Sequence, residues 1–162
     1  MEPPMSVELQ HREDLVRFGK LVHEQGFVSA CDGNLSVRLD SHRILATPTG
    51  VSKGMMQASD MVVVDLHGKR LEGDRDVSSE IAMHLTIYRV RPDIHAVVHA
   101  HPATATGFAS AGMALERNAA IASSKRRRWP TKVTPSPTVA LFVSDVSAVR
   151  RPDGRVAIVT RR

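Results

Sequence analysis

The sequence predicts an α/β domain built on a mostly antiparallel sheet, and three observations carry that prediction. Apolar residues recur at helical spacing in two separate stretches, two strand-turn-strand patterns lie between them, and an apolar, valine-bearing run, "IHAVVHAH" at 94–101, follows the second helix. The order helix, hairpin, hairpin, helix, strand, helix describes helices packed on a sheet whose strands pair through hairpins. At 162 residues the chain has room for one sizeable core. A hydrophobic content of 42% and a charged content of 24% are those of a globular protein. No apolar run reaches the roughly 18–20 residues of a membrane span.

Residues 7–25 carry Val7, Leu15, Phe18, Leu21 and Val22 close to one helical face, and Gly26 supplies the stop. "DGNLSVRLDSHRILATPTG" then reads as a tight turn at Gly33-Asn34, a strand through Leu35, Val37 and Leu39, a connection at 40–42, and a second strand, 44–47. "MVVVDLHGKRLEG" repeats the pattern around His67-Gly68. "DVSSEIAMHLTIYRVRPD" opens with serines suited to an N-cap, carries Ile81, Leu85 and Tyr88 at i, i+4 and i+7, and ends at Pro92. Tyr88, the single tyrosine, is expected in the core. The strand 94–101 follows, then the small-residue helix of "PATATGFASAGMALERN".

After Asn118 the texture changes. Residues 1–117 hold 12 Lys and Arg against 15 Asp and Glu, a balance of −3, whereas 118–162 hold 10 against 2, a balance of +8. The pI near 10 therefore belongs to the last 45 residues. The expected division is a folded domain over 1–118 and a divergent basic tail over 119–162, its abrupt onset suggesting a reading-frame change. Strands are expected at 139–143 and 156–160, the latter after a Pro-Asp-Gly turn. "SSKRRRWPTK" at 123–132 would suit phosphates and a stacked base, but a solvated or aberrant tail is the favoured reading, so no nucleic-acid partner is expected. "MEPPMSVELQHRED" lacks the basic start and apolar core of a secretory leader, and one cysteine, Cys31, suits a reducing compartment. A cytoplasmic address is expected.

Chemistry concentrates at His99 and His101. On a strand, i and i+2 share a face, so the two imidazoles converge on one ion or stand as ordinary hydrogen-bonded histidines. Upstream, Ser78-Ser79-Glu80 opens a helix, where hydroxyls and free N–H groups favour an anion, although any helix start prefers such residues. Gly33-Asn34 and Thr49-Gly50 read equally as turn chemistry.

Together the strings "GNLSVR" (33–38), "TPTG" (47–50), "VDLHGKRLEG" (64–73) and "SSEIAMHLTIYRVRPDIHAVVHAHP" (78–102) resemble the class II aldolase/adducin family, typified by fuculose-phosphate aldolase, over roughly residues 10–118. The resemblance implies a three-layer αβα sandwich with a mostly antiparallel central sheet, incomplete at the C-terminus. It implies a divalent ion, usually Zn²⁺, on His99, His101 and Glu80, with Glu80 also the acid/base. Asn34, Thr49, Gly50, Ser78 and Ser79 match its phosphate pocket. The implied chemistry is reversible aldol cleavage of a sugar phosphate, with the ion as Lewis acid to an enediolate. A homo-oligomer, tetrameric in the family, and no membrane association are implied as well. The family's third metal histidine falls well after the H-x-H pair, and no histidine follows His101 here. A non-catalytic scaffold relative is the alternative.

Overall fold

The computed structural model describes residues 6–111, 138–143, 146–150 and 156–160. Helix α1, Val7–Glu24, starts at Ser6, whose side chain accepts from the Leu9 amide at 3.2 Å. It ends in a Schellman motif. Gly26, at φ +70°, donates to the His23 carbonyl, and Phe27 donates to that of Val22. The buried face differs from the expected one: Leu15 and Gly19 are buried, but Val7 is 73% and Phe18 44% exposed. Leu15, Gly19 and Val22 set the inner stripe at i, i+4 and i+7, which turns Phe18 outward, where Arg17 stacks on its ring.

Strands β1, Asn34–Arg38, and β2, Arg43–Ala46, form the first hairpin. Its connection is organised by Asp40, whose carboxylate accepts from the His42 amide at 2.8 Å, the Arg43 amide at 2.9 Å and Arg43 Nε at 2.8 Å. Strands β3, Val62–Asp65, and β4, Arg70–Glu72, form the second, turned by Asp65, which accepts from the amides of His67 and Lys69. Helix α2 is Ile81–Val90, β5 Ile94–Ala100 and α3 Ala103–Ser110. Strands β6, Thr138–Val143, β7, Val146–Arg150, and β8, Val156–Thr160, complete the elements. The strands expected at 139–143 and 156–160 are present, and β7 between them was not anticipated. The basic run 123–132 and the end of the last expected helix lie outside the described residues.

The eight strands make one sheet in the order β4-β3-β2-β1-β5-β6-β7-β8. Every pairing is antiparallel except β5 with β6. Alternation along the strands then sorts the core into two layers. Ile44, Val62, Val64 and Val97 pack with Leu85 and Tyr88 of α2. Their strand neighbours Leu45 and Val63 pack on the other face with Leu15 of α1. Helices thus cover both faces, as a three-layer sandwich requires. Among the described residues no helix is long and apolar enough to cross a membrane.

Gly33 sets where β1 meets β5. Its φ is +69°, and a Cβ there would lie 2.5 Å from Val28 Cγ1 and 2.8 Å from the His99 carbonyl oxygen. Asn34 is consequently the first residue of β1 and not part of a turn, and it pairs with His99. Gly33→Ala should lower the unfolding free energy by about 2–3 kcal/mol. Urea denaturation measures this, and a loss within about 0.5 kcal/mol would show that the edge yields.

The three bonds to Asp40 hold its carboxyl at about 2, below the ordinary 3.8, with the Arg43 side-chain bond the largest cause. A lowered folded pKa stabilises above the unfolded value and is lost on acidification. The stability difference between wild type and Asp40→Asn should therefore be constant above about pH 4 and close as pH falls toward 2. A difference independent of pH over that window in chemical denaturation would contradict it.

Candidate metal centre

Residues directly opposite in an antiparallel pair share a face, so the Asn34–His99 pairing puts both side chains on the α2 side of the sheet. The turn before α2 brings Glu80 to them. Glu80 Oε2 lies 3.0 Å from His99 Nδ1 and 2.5 Å from Asn34 Nδ2, which donates to it. Glu80 Oε1 lies 4.0 Å from His101 Nε2. The two imidazole rings stand 4.6 Å apart, centroid to centroid, at an interplanar angle of 55°. His101 sits just past β5, where its amide donates to the Phe27 carbonyl at 3.0 Å.

These three residues offer one ligand atom each within 4.8 Å of one another, the group among the described residues with the composition of a metal site. Two imidazole nitrogens and a carboxylate oxygen are a donor set that Zn²⁺ accepts. Each imidazole has its own carboxylate oxygen near the roughly 3.4 Å ligand–ligand distance of a tetrahedron with ~2.1 Å bonds, Oε2 at 3.0 Å from His99 Nδ1 and Oε1 at 4.0 Å from His101 Nε2. His99 is buried, whereas the side chains of Glu80 and His101 keep 40% and 29% exposure, which leaves one side of the cluster open. The Asn34 Oδ1 acceptor beside it is buried with no hydrogen-bond partner among the described residues. Residues and surroundings fit a divalent ion.

The residues expected to hold phosphate gather next to this cluster. Pro48 bridges to Val77, and the Thr49 amide donates to the Asp76 carbonyl at 2.9 Å, which draws the 47–50 loop alongside 77–80. Thr49, Gly50 and Ser79 are exposed and Ser78 is half-buried. Ser78 Oγ accepts from the Glu80 amide and from Asn34 Nδ2, both at 3.3 Å. The Asn34 amide is thus spent on Ser78 and Glu80, at the junction between carboxylate and loop. The 51–53 turn that follows the loop is tied down by a residue that sequence reasoning passed over. Lys53 is 1% exposed, and its ammonium donates to the carbonyls of Val51 at 2.8 Å and Cys31 at 3.2 Å. Burial holds that amine below its usual range.

Ser36 and His84 were also passed over. Both are buried, and Ser36 Oγ contacts His84 Nδ1 at 2.7 Å and the Tyr88 hydroxyl at 2.8 Å. Tyr88 itself is 1% exposed, in the core as expected. The available signal was spacing: Ser36 is two strand positions from Asn34, and His84 four helical positions from Glu80.

Known proteins resemble this chain in sequence and in fold. The chain is 40% identical over 94 residues to 3-oxo-tetronate 4-phosphate decarboxylase of Haemophilus influenzae, covering 58% of this chain and 44% of that protein. It is 36% identical over 107 residues to methylthioribulose-1-phosphate dehydratase of Marinobacter nauticus, covering 64% and 51%. The structure of an L-fuculose 1-phosphate aldolase superposes with a TM-score of 0.59 at 35% identity, covering 67% of this chain and 51% of that one. The chain spans about half the length of the curated relatives it matches. The family profile described as the class II aldolase and adducin N-terminal domain matches residues 13–155. With the sandwich and the ordered motifs already in place, that match makes this chain a member of the class II aldolase and adducin family.

Proposed function

We propose that this chain carries the metal-binding part of a divalent-metal-dependent lyase that acts on a phosphorylated sugar by reversible aldol cleavage. The observation that carries the reading is the convergence of Glu80, His99 and His101 beside the 47–50 and 77–80 segments. The similar proteins' names point the same way: a decarboxylase of a 3-oxo acid phosphate, a dehydratase of a ketose phosphate and an aldolase all break a bond near a carbonyl. Each reaction leaves an electron pair beside that carbonyl, so one electrophilic site serves all three.

Glu80, His99 and His101 would hold the ion, with Zn²⁺ the best match to the donors. When bound, it supplies Lewis-acid stabilisation of the developing enediolate. Glu80 is the acid/base. Its carboxylate is solvent-accessible, and Asn34 Nδ2 anchors Oε2, so the group keeps its orientation while exchanging a proton. Ser78 and Ser79, with Thr49 and Gly50, bind the phosphate. The dipole at the start of α2 adds to the attraction for an anion. A homo-oligomeric assembly in the cytoplasm and the division at residue 118 belong to this same proposal.

Purified full chain reconstituted with Zn²⁺ should retain one ion per chain by elemental analysis, and His99→Ala should lower its affinity at least about 100-fold. An unloaded wild type would overturn the metal centre. On a panel of sugar phosphates, Glu80→Gln should reduce cleavage about 10²- to 10⁴-fold with little change in KM. A loaded protein with no turnover on any of them would favour the scaffold reading.

A further inference from the structure

A polar ladder joins β1 to α2 behind the metal centre. On β1, Asn34, Ser36 and Arg38 alternate toward the helix, and their partners are Glu80, which caps α2, and His84 and Tyr88 on it, four residues apart. The repeats match, since two strand residues advance about 6.8 Å and four helical residues about 6.0 Å. At the far end Arg38 donates to the Tyr88 carbonyl at 2.7 Å, and its guanidinium carbon sits 4.8 Å from the Tyr88 ring centroid. The middle rung is dry: Ser36, His84 and Tyr88 are each 1% exposed.

Counting hydrogens orders this rung. Ser36 has one hydroxyl hydrogen for two contacts, so one partner must donate to it. If Tyr88 donates to Ser36 and Ser36 to His84 Nδ1, every hydroxyl hydrogen is used and the ring hydrogen sits on Nε2. The reverse order strands the Tyr88 hydrogen in a buried place. Burial, with His99 nearby, pushes the His84 pKa down to about 3, so the ring is neutral. Its Nε2 has no hydrogen-bond partner among the described residues. A buried unpaired group costs roughly 1–3 kcal/mol, so an apolar side chain of similar volume would serve stability as well or better.

What the rung supplies and apolar packing does not is direction. Leu85 and its neighbours hold α2 on the sheet but tolerate rotation about the helix axis. A rotation of about 20° would swing a carboxylate some 6 Å from that axis by about 2 Å, ten times the ~0.2 Å tolerance of a metal ligand. We propose that Ser36, His84 and Tyr88 are positioning residues for the metal centre. Their bonds fix the rotation of α2 on β1, so that Glu80 arrives at His99 and His101 in ligating position. The proposal rests on those three residues being the metal ligands.

The test measures Zn²⁺ affinity of the full chain by competition with a chromogenic chelator, and the visible spectrum of the Co²⁺-loaded form. Ser36→Ala and His84→Leu should bind about tenfold more weakly, with an altered Co²⁺ spectrum; the unfolding midpoint should be unchanged or raised in His84→Leu and lowered in Ser36→Ala, which leaves His84 Nδ1 and the Tyr88 hydroxyl unpaired. His84→Asn keeps an acceptor where Nδ1 stood and should recover most of the affinity. Wild-type affinity and spectrum in both Ser36→Ala and His84→Leu would overturn the proposal. Should His84→Leu fail to fold, Ser36→Ala and Tyr88→Phe decide by the same readings. A wild-type chain that binds no ion would instead overturn the metal centre itself, and the positioning role with it.

Discussion

The pairing of Asn34 with His99 is the constraint on which the rest of the site depends. Side chains on a strand alternate between faces, so a slip of one residue between β1 and β5 would send His99 toward α1 and Val98 toward Glu80. The register is held from both sides. Leu35 and Val98 belong to the α1 layer and Val97 to the α2 layer, so that slip would also take Val97 out of the α2 layer and put His99 among the apolar groups of the α1 layer. The approach itself is possible because Gly33 has no Cβ to strike the His99 carbonyl. A backbone requirement in one loop thereby decides which side chains can reach a carboxylate forty-odd positions along the chain.

That register also explains why so much polarity sits inside a small core. Burying Asn34, Ser36, His84 and His99 costs free energy unless each is hydrogen-bonded. Asn34 and Ser36 meet the requirement through α2 and the turn before it, so the helix and the interior strand β1 satisfy one another. Among the described residues three buried side-chain atoms are left over, and two of them, Asn34 Oδ1 and His84 Nε2, lie on this same face of the sheet, the third being Thr106 Oγ1 in α3. Orphaned polar atoms collected at one end of an otherwise well-packed interface are characteristic of a place arranged for chemistry, because stability alone would favour apolar groups there.

The sequence was informative where a property is local. Helical spacing located α1 and α2, turn residues located both hairpins, and H-x-H at a strand end placed two imidazoles on one face. It was less informative where a partner decides the outcome. Phe18 counts as apolar by spacing, yet the sheet selects the stripe through Leu15 and Val22 and leaves Phe18 44% exposed. β7 borders the same Pro-Asp-Gly signal that marked β8, but its mixed residues Val146-Ser147-Ala148-Val149-Arg150 read weakly as a strand, and its pairing with β6 and β8 defines it. Ser36 and His84 read as ordinary strand and helix residues, because nothing in either segment announces that they meet across 48 positions. Lys53 was invisible for the same reason: lysine is read as surface, and only the fold surrounds it with carbonyls.

The two halves of the site are held with different stiffness, and the difference follows from where each is built. Glu80, His99 and Asn34 stand on or beside α2, β5 and β1, where ladder hydrogen bonds and two core layers oppose movement. The 47–50 loop is framed only at its first residue, where buried Thr47 exchanges hydrogen bonds with Leu35 of β1; beyond it the loop has the Pro48–Val77 bridge and the Thr49–Asp76 bond, with the buried Lys53 ammonium drawing the following 51–53 turn toward Cys31. An ion tolerates errors of a few tenths of an ångström in its ligands, whereas a phosphate surrounded by exposed hydroxyls and amides tolerates considerably more. The fold therefore spends its regular elements on the atoms that need precision. It leaves the residues proposed to face the anion on loops, where contacts can change without disturbing the sheet.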